Sequence, residues 1–364
     1  MSRRPTVAEQ LAAQGISRRA FLKFCAAAAS LMALPPGMAP AIAEALGKRT
    51  RPSVIWLSFQ ECTGCTESLT RSHSPTVEHM IFDLISLDYH HTLMAASGDA
   101  AEHAREQAME EPGYLVLVDG SIPVKDDGIY STIAGISNLQ MLRDTVENAA
   151  AVVSIGTCAA FGGLPMADPD PTGAMSVDAL MDAGLIARKP VINVPGCPPI
   201  PVVITGVLAH YLTFGEIPAL DHLNRPLMFF GDSIHDRCYR RPFYDQGKFA
   251  KTFDDEGARK GWCLFELGCK GPTTYNACAT AKWNAGTSFP IESGHGCIGC
   301  SEPKFWDAGS FYSALSMPIG SMDYAAGAAV AGAAVGVGVA LANRAKKSAA
   351  KSSHQTATLA DLEK

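Results

Sequence analysis

Three short apolar runs frame this chain, and each delivers a cysteine just past its carboxyl end. Residues 54–59 lead into Gln60-Glu61-Cys62-Thr63-Gly64-Cys65, residues 150–155 into Gly156-Thr157-Cys158, and residues 190–194 into Pro195-Gly196-Cys197. Continuous apolar runs of this length, bounded by Gly and Pro, read as buried strands. A fourth run, 114–119, ends at Gly120. Helical patterning lies between them at 77–86, 100–109, 138–148 and 177–183. Strand and helix in alternation predict an α/β domain with a doubly wound parallel sheet over 52–220. In such a sheet, ligands gather outside the carboxyl ends of the strands. Cys62, Cys65, Cys158 and Cys197 are therefore expected to meet there, and Gly64 lets the backbone fold tightly around them. The segment holds no phosphate loop and no G-x-G-x-x-G, so no nucleotide site is read. Gly162-Gly163 and Asp168-Pro169-Asp170-Pro171 punctuate loops.

From 221 to 318 the texture changes. Periodicity is poor, Gly and Pro are frequent, and six cysteines fall between Cys238 and Cys300. Such a stretch buries too little apolar surface to order itself, and metal ligation would supply the missing stability.

The ends carry different signals. Ser17-Arg18-Arg19-Ala20-Phe21-Leu22-Lys23 is a twin-arginine export motif, followed by an apolar run at 24–34 and a small-residue cleavage site at Ala41-Ile42-Ala43. Residues 1–45 are thus read as a leader rather than fold, and Cys25 is expected to leave with it. The bland alternative is a chance Arg pair before an amphipathic helix. Near the other end, 325–342 is an apolar run followed by Arg344, Lys346 and Lys347. It is long enough to span a bilayer with help from its flanks, giving an anchor at 323–343. Gly332 and Gly336 would allow close packing on another membrane helix. The basic flank puts the tail, 344–364, in the cytoplasm and the body outside. An Ala/Gly linker is the competing reading.

Composition sharpens the chemistry. The 364 residues allow two domains, and a formal net charge of -6 argues against nucleic acid as a partner. Eleven cysteines cannot all pair with one another, and a chain with a large core has little need of disulfides. His235-x2-Cys238 with Cys263-x5-Cys269 would suit a tetrahedral zinc or an iron–sulfur cluster, and the spacing does not decide between them. Cys278 with Cys297-Ile298-Gly299-Cys300 offers only three thiols. That suits a cluster lacking one iron better than a closed zinc site; Pro290 is placed where a fourth ligand could have stood. These groups use His235 and every cysteine left after Cys25 is removed. Three redox centres in one subunit make a wire rather than an active site, so no catalytic residue is expected in this chain.

The runs Glu61-Cys62-Thr63-Gly64-Cys65-Thr66-Glu67, Gly156-Thr157-Cys158-Ala159-Ala160-Phe161-Gly162-Gly163, Val194-Pro195-Gly196-Cys197-Pro198-Pro199 and Gly294-His295-Gly296-Cys297-Ile298-Gly299-Cys300 resemble the small subunit of membrane-bound nickel–iron hydrogenases. The resemblance covers roughly 52–315 together with the export signal and the anchor. It implies a flavodoxin-like first domain. It implies a proximal [4Fe-4S] cluster on Cys62, Cys65, Cys158 and Cys197, a distal [4Fe-4S] cluster on His235, Cys238, Cys263 and Cys269, and a medial [3Fe-4S] cluster on Cys278, Cys297 and Cys300. It further implies a large subunit holding the Ni–Fe centre where hydrogen is split, and electrons leaving to a membrane partner such as a b-type cytochrome or to a soluble carrier. The expected location is the periplasmic side of the cytoplasmic membrane. Oxygen-tolerant relatives carry two further cysteines beside the proximal cluster; Gly64 and Gly163 stand at those positions, which implies the oxygen-sensitive type.

Other residues draw plainer expectations. Glu67 is read as an interface or cap carboxylate before a tuning or proton-relay group. His73, His90, His91 and His103 are read as ordinary surface or core histidines, and His295 as support for the loop before Cys297. Trp283, Phe305 and Trp306 are read as packing, and Tyr239-Arg240-Arg241 as a basic surface patch. Two readings compete with the hydrogenase subunit: a stand-alone exported iron–sulfur module for another oxidoreductase, and a zinc- or disulfide-stabilised binding protein.

Overall fold

Strand alternation sorts the sheet into two faces. The structure is a computed structural model, describing residues 6–13, 17–31, 34–48 and 51–314. Five strands, β1 (Ser53–Ser58), β2 (Ser86–His90), β3 (Leu115–Asp119), β4 (Ala151–Ile155) and β5 (Val191–Val194), form one parallel sheet in the order β2-β1-β3-β4-β5. That order is the flavodoxin-like version of the doubly wound sheet. Val54, Trp56, Leu115, Leu117, Val153 and Ile192 point into one core, against the helix Pro201–Phe214. Ile55, Leu57, Val116, Val118, Val152 and Val191 point into the other, against Asp99–Met109, Asn138–Val146 and Val177–Asp182. The period of two in a strand and helices on both faces make this division unavoidable.

The structure corrects several expected elements. Only Val77–His79 of the stretch 77–86 is α-helical, continuing as a π-turn over Met80–Leu84, and Ser86 already begins the edge strand β2, unread in the sequence. The expected helix at 100–109 is Asp99–Met109. Those at 138–148 and 177–183 are shorter than expected, starting where Ser137 and Ser176 cap them by accepting from the backbone N–H of Gln140 and Ala179. Helix Pro201–Phe214 was also unread. Eleven of its fourteen residues are buried, so it carries no polar face to mark it.

The segment set aside as a leader is folded here. Helices Val7–Ala13, Arg18–Leu31 and Ala39–Lys48 bury Val7, Leu11, Cys25, Ile42 and Leu46 in the core that holds Pro201–Phe214. Ser17, Arg18 and Arg19 stay exposed. The uncleaved chain therefore hides the apolar side of this segment and presents its Arg pair to solvent. The run at 325–342 lies outside the described residues; among those described, no helix is long and apolar enough to cross a membrane.

Beyond Asp221, no helix among the described residues exceeds five residues. Order comes from a buried ion triad. Arg225, 1% exposed, donates to Asp221 Oδ2 at 2.8 Å and to Glu302 Oε1 at 2.9 Å. Glu302 Oε1 also accepts from the Tyr275 backbone at 2.7 Å. The triad ties the end of the α/β part to the loop just past Cys300.

Removing Arg225 leaves two buried carboxylates without their cation. Arg225→Ala should destabilise the chain by roughly 3–5 kcal/mol, read as a lower unfolding midpoint, with Arg225→Lys falling between. A second expectation concerns His90. It is fully buried 4.9 Å from the Trp56 ring, its Nδ1 accepts from Thr92 N at 3.2 Å, and burial pushes its pKa down to about 4. Below the ordinary histidine pKa the unfolded chain takes up a proton that the folded chain refuses. Stability should therefore fall as pH drops from about 6.5 to about 4, by up to roughly 3 kcal/mol. Denaturant midpoints across that range should flatten in His90→Gln; an unchanged slope would assign the loss to other groups.

Candidate metal centres

Three strand ends place the first group. Cys62 and Cys65 follow β1 at the start of the helix Gly64–Thr70, Cys158 lies in the short helix Gly156–Phe161 after β4, and Cys197 follows β5. Their thiols converge: burial first, then the neighbouring Asp119 and the other three cysteines, push Cys65 well above its ordinary pKa. Burial likewise pushes Cys158 up to about 11 and Cys197 to about 12. Glycine leaves room for the sulfurs. A Cβ on Gly156, at φ 84°, would lie 2.5 Å from Cys65 Sγ, and one on Gly163 2.6 Å from Cys158 Sγ. Cys62 is exposed, so this group opens at the surface. Beneath it, burial pushes Asp119 up to about 7, and its Oδ1 accepts from Trp56 Nε1 at 3.1 Å.

Cys278, Cys297 and Cys300 form a second cluster of thiols, each pushed up chiefly by burial. Cys297 lies in the field of the other two, and Gly299 N donates to Cys297 Sγ at 3.4 Å. The third group lines a small cavity: His235, Cys238, Cys263 and Cys269 stand around it together with Arg240 and Arg241. The His235 ring meets Tyr244 edge-on at 4.5 Å, and burial lowers its pKa, favouring the neutral imidazole that a metal requires.

The groups are contiguous, in an order the numbering does not follow. Thr157, beside Cys158, donates through its hydroxyl to the Cys300 carbonyl, and Cys297 N donates to Cys269 Sγ at 3.3 Å. The trio Cys278, Cys297 and Cys300 thus stands between the strand-end group and the His235 group.

The chemistry of the donors fits polynuclear centres. All eleven cysteines are free in this structure. Among the described residues, no three His, Cys, Asp or Glu side chains close on a single-ion position, whereas sulfurs on one zinc must come within roughly 4 Å of each other. Crowded buried thiols stay protonated unless a strongly positive core offsets the cost of the thiolates. Glycine-lined space beside the sulfurs and the cavity behind His235 are where such cores would sit.

Several sequence expectations change. Arg240 is no surface residue: it is 6% exposed, donates to Trp262 O at 2.8 Å and Tyr239 OH at 2.7 Å, and lines the His235 cavity. Glu67 is an exposed partner of Arg71 at 2.6 Å. His73, His91 and His103 are exposed, His90 is buried, and the His295 ring packs against Phe253 and Tyr312. Phe305 is buried, as packing requires. Unread in the sequence were Thr157, Asp119 and Arg225, ordinary residue types whose importance comes from burial between distant segments.

Comparison with known proteins agrees with this geometry. Residues 62–211 match the family described as NADH ubiquinone oxidoreductase, 20 Kd subunit, and residues 230–313 the family described as the C-terminal part of the NiFe/NiFeSe hydrogenase small subunit. The chain is 48% identical over 357 residues to the uptake hydrogenase small subunit of Azotobacter vinelandii, covering 96% of this chain and 98% of the relative. It is 52% identical over 307 residues to the periplasmic [NiFe] hydrogenase small subunit 1 of Nitratidesulfovibrio vulgaris, covering 84% and 95%. Among solved structures, a reduced, active Ni-Fe-Se hydrogenase from Desulfomicrobium baculatum matches with a TM-score of 0.68 and 38% identity, over 73% of this chain and 100% of that one. The chain therefore belongs to the small-subunit family of nickel–iron hydrogenases, as the electron-transfer subunit.

Proposed function

We propose that Cys62, Cys65, Cys158 and Cys197 hold a proximal [4Fe-4S] cluster, Cys278, Cys297 and Cys300 a medial [3Fe-4S] cluster, and His235, Cys238, Cys263 and Cys269 a distal [4Fe-4S] cluster. When bound, these groups supply one-electron relays between a Ni–Fe centre in the large subunit and an outside acceptor, a b-type cytochrome or a soluble carrier. The observation that carries the assignment is the contiguity of the donor groups, the first joined to the second through the Thr157 hydroxyl and the Cys300 carbonyl, the second to the third through Cys297 N and Cys269 Sγ. The chain's own residues set the conditions. Exposed Cys62 leaves one edge of the proximal group for the large subunit to cover. A neutral His235 removes one negative charge from the distal donor set and makes reduction there easier than with four thiolates. Gly64 and Gly163 add no fifth or sixth thiol, the arrangement of an oxygen-sensitive enzyme.

On this reading the functional parts are a 52–220 domain with the proximal cluster and a 221–318 domain with the other two. Residues 1–45 direct export by the twin-arginine route, 323–343 anchor the chain, and 344–364 remain cytoplasmic, leaving the clusters on the periplasmic side. The motif Ser17-Arg18-Arg19-Ala20-Phe21-Leu22-Lys23 and the periplasmic location in the name of the Nitratidesulfovibrio relative support this.

The oxidised heterodimer should give a three-iron electron paramagnetic resonance signal that Cys297→Ser removes, while the proximal and distal signals that appear on reduction persist. Zinc in place of iron in the wild type would refute the assignment. Gly156→Ala should remove the proximal signal and its share of iron, because the new Cβ takes the space of Cys65 Sγ. Full proximal occupancy in that variant would show that the loop yields more readily than its packing implies.

A further inference from the structure

Thr157 lies between two of these groups and holds both. It is 1% exposed. Its backbone N–H donates to Gly196 O at 2.9 Å, and its Oγ1 accepts from Gly196 N at 2.9 Å. The same hydroxyl has one proton, which it donates to the carbonyl of Cys300. One side chain therefore joins the turn before Cys158, the turn before Cys197 and the backbone of Cys300. These are two donors of the proximal group and one of the medial group. The loop that this joint holds carries the N–H···S bond of the medial group, from Gly299 N to Cys297 Sγ at 3.4 Å.

From these bonds we infer that Thr157 is the positioning residue that sets the proximal-to-medial contact, by fixing the Cys300 backbone and, with it, the Gly299 N–H on Cys297 Sγ. The inference rests on the cluster assignment above. The physical reasoning is local. Without the hydroxyl, the buried Gly196 N–H and the half-buried Cys300 carbonyl lack this partner, so each side of the joint is free to move toward water or another partner. A hydrogen bond to a ligand sulfur stabilises the reduced, more negative cluster. Its loss should therefore lower the potential of the medial group alone. It should also slow the one transfer step that crosses this joint. Arg225 holds the same Cys300 loop from its far side, through Ser301 O at 3.4 Å and Glu302. Ser301 Oγ adds a bond to Tyr275 O at 2.9 Å on that far side, and Thr157 holds the loop to the proximal side.

The test uses the intact heterodimer with Thr157→Val, which keeps the shape and removes the hydroxyl, Thr157→Ala as a second hydroxyl-free form, and Thr157→Ser, which restores the hydroxyl. Redox titration followed by electron paramagnetic resonance, together with the rate of medial reduction after mixing with hydrogen, supplies readouts beyond turnover. In the hydroxyl-free forms the medial midpoint should move negative, with a roughly fivefold drop in the reduced-to-oxidised ratio at fixed potential, about one hydrogen bond's worth. Proximal and distal midpoints should stay in place, and Thr157→Ser should behave as wild type. An unmoved medial midpoint and an unchanged reduction rate in Val and Ala would overturn the inference. Equal loss of iron from all three sites in both would overturn it as well, by making Thr157 a general folding residue. A wild type with no three-iron signal would instead refute the cluster assignment itself.

Discussion

Ten thiols and one imidazole are brought into three adjoining pockets, and a folded chain cannot hold that arrangement cheaply by itself. Burial pushes the thiol pKa values upward, to about 11 at Cys158 and Cys263 and about 12 at Cys197. Neighbouring sulfurs push them further in the same direction. A positive inorganic core is the natural counterweight, and it would add to the ion triad that orders the short irregular elements beyond Asp221. The fold can be understood as the means of keeping these sulfurs close without letting them bridge one another.

The parallel sheet does the first part of that work. Its strands end together, so turns after β1, β4 and β5 meet along one edge although they are far apart in sequence. Glycine at Gly156 and Gly163 leaves the volume beside the sulfurs that any side chain would fill. The irregular part does the second, through single well-placed bonds rather than long elements. Arg225 holds the Cys300 loop to the α/β part, and Cys297 N meets Cys269 Sγ. Function follows from contiguity: a carrier chain needs neighbouring sites, and here the neighbours share hydrogen bonds.

Much of this was legible in the residues. The strands β1, β3, β4 and β5 announce themselves as apolar runs, and the cysteines at their ends follow a rule of open α/β sheets. The grouping of His235 with Cys238, Cys263 and Cys269 was legible from spacing, though spacing could not choose between zinc and iron. The edge strand β2 was not legible, because Ser86, Asp88 and His90 leave it only Leu87 and Tyr89 as apolar positions and its first residue ends an apparent helical pattern. Helix Pro201–Phe214 was lost for the opposite reason, being apolar all round. Arg240 misled because arginine is rarely buried unless paired, and its partners, Trp262 O and Tyr239 OH, come from the fold. The packing of the Arg18–Leu31 helix onto the body could not be read from a leader motif, which describes how a segment is handled rather than where it rests.

The claim that most of the account depends on is that these sulfurs bind inorganic cores and nothing else. Acid-labile sulfide and free-thiol counts on the anaerobically purified, intact heterodimer test it most directly. The account predicts roughly twelve sulfides per small subunit, with the cluster cysteines unreactive to alkylation until the cores are destroyed by acid. Zinc without sulfide, or cysteines bridged in pairs, would contradict it.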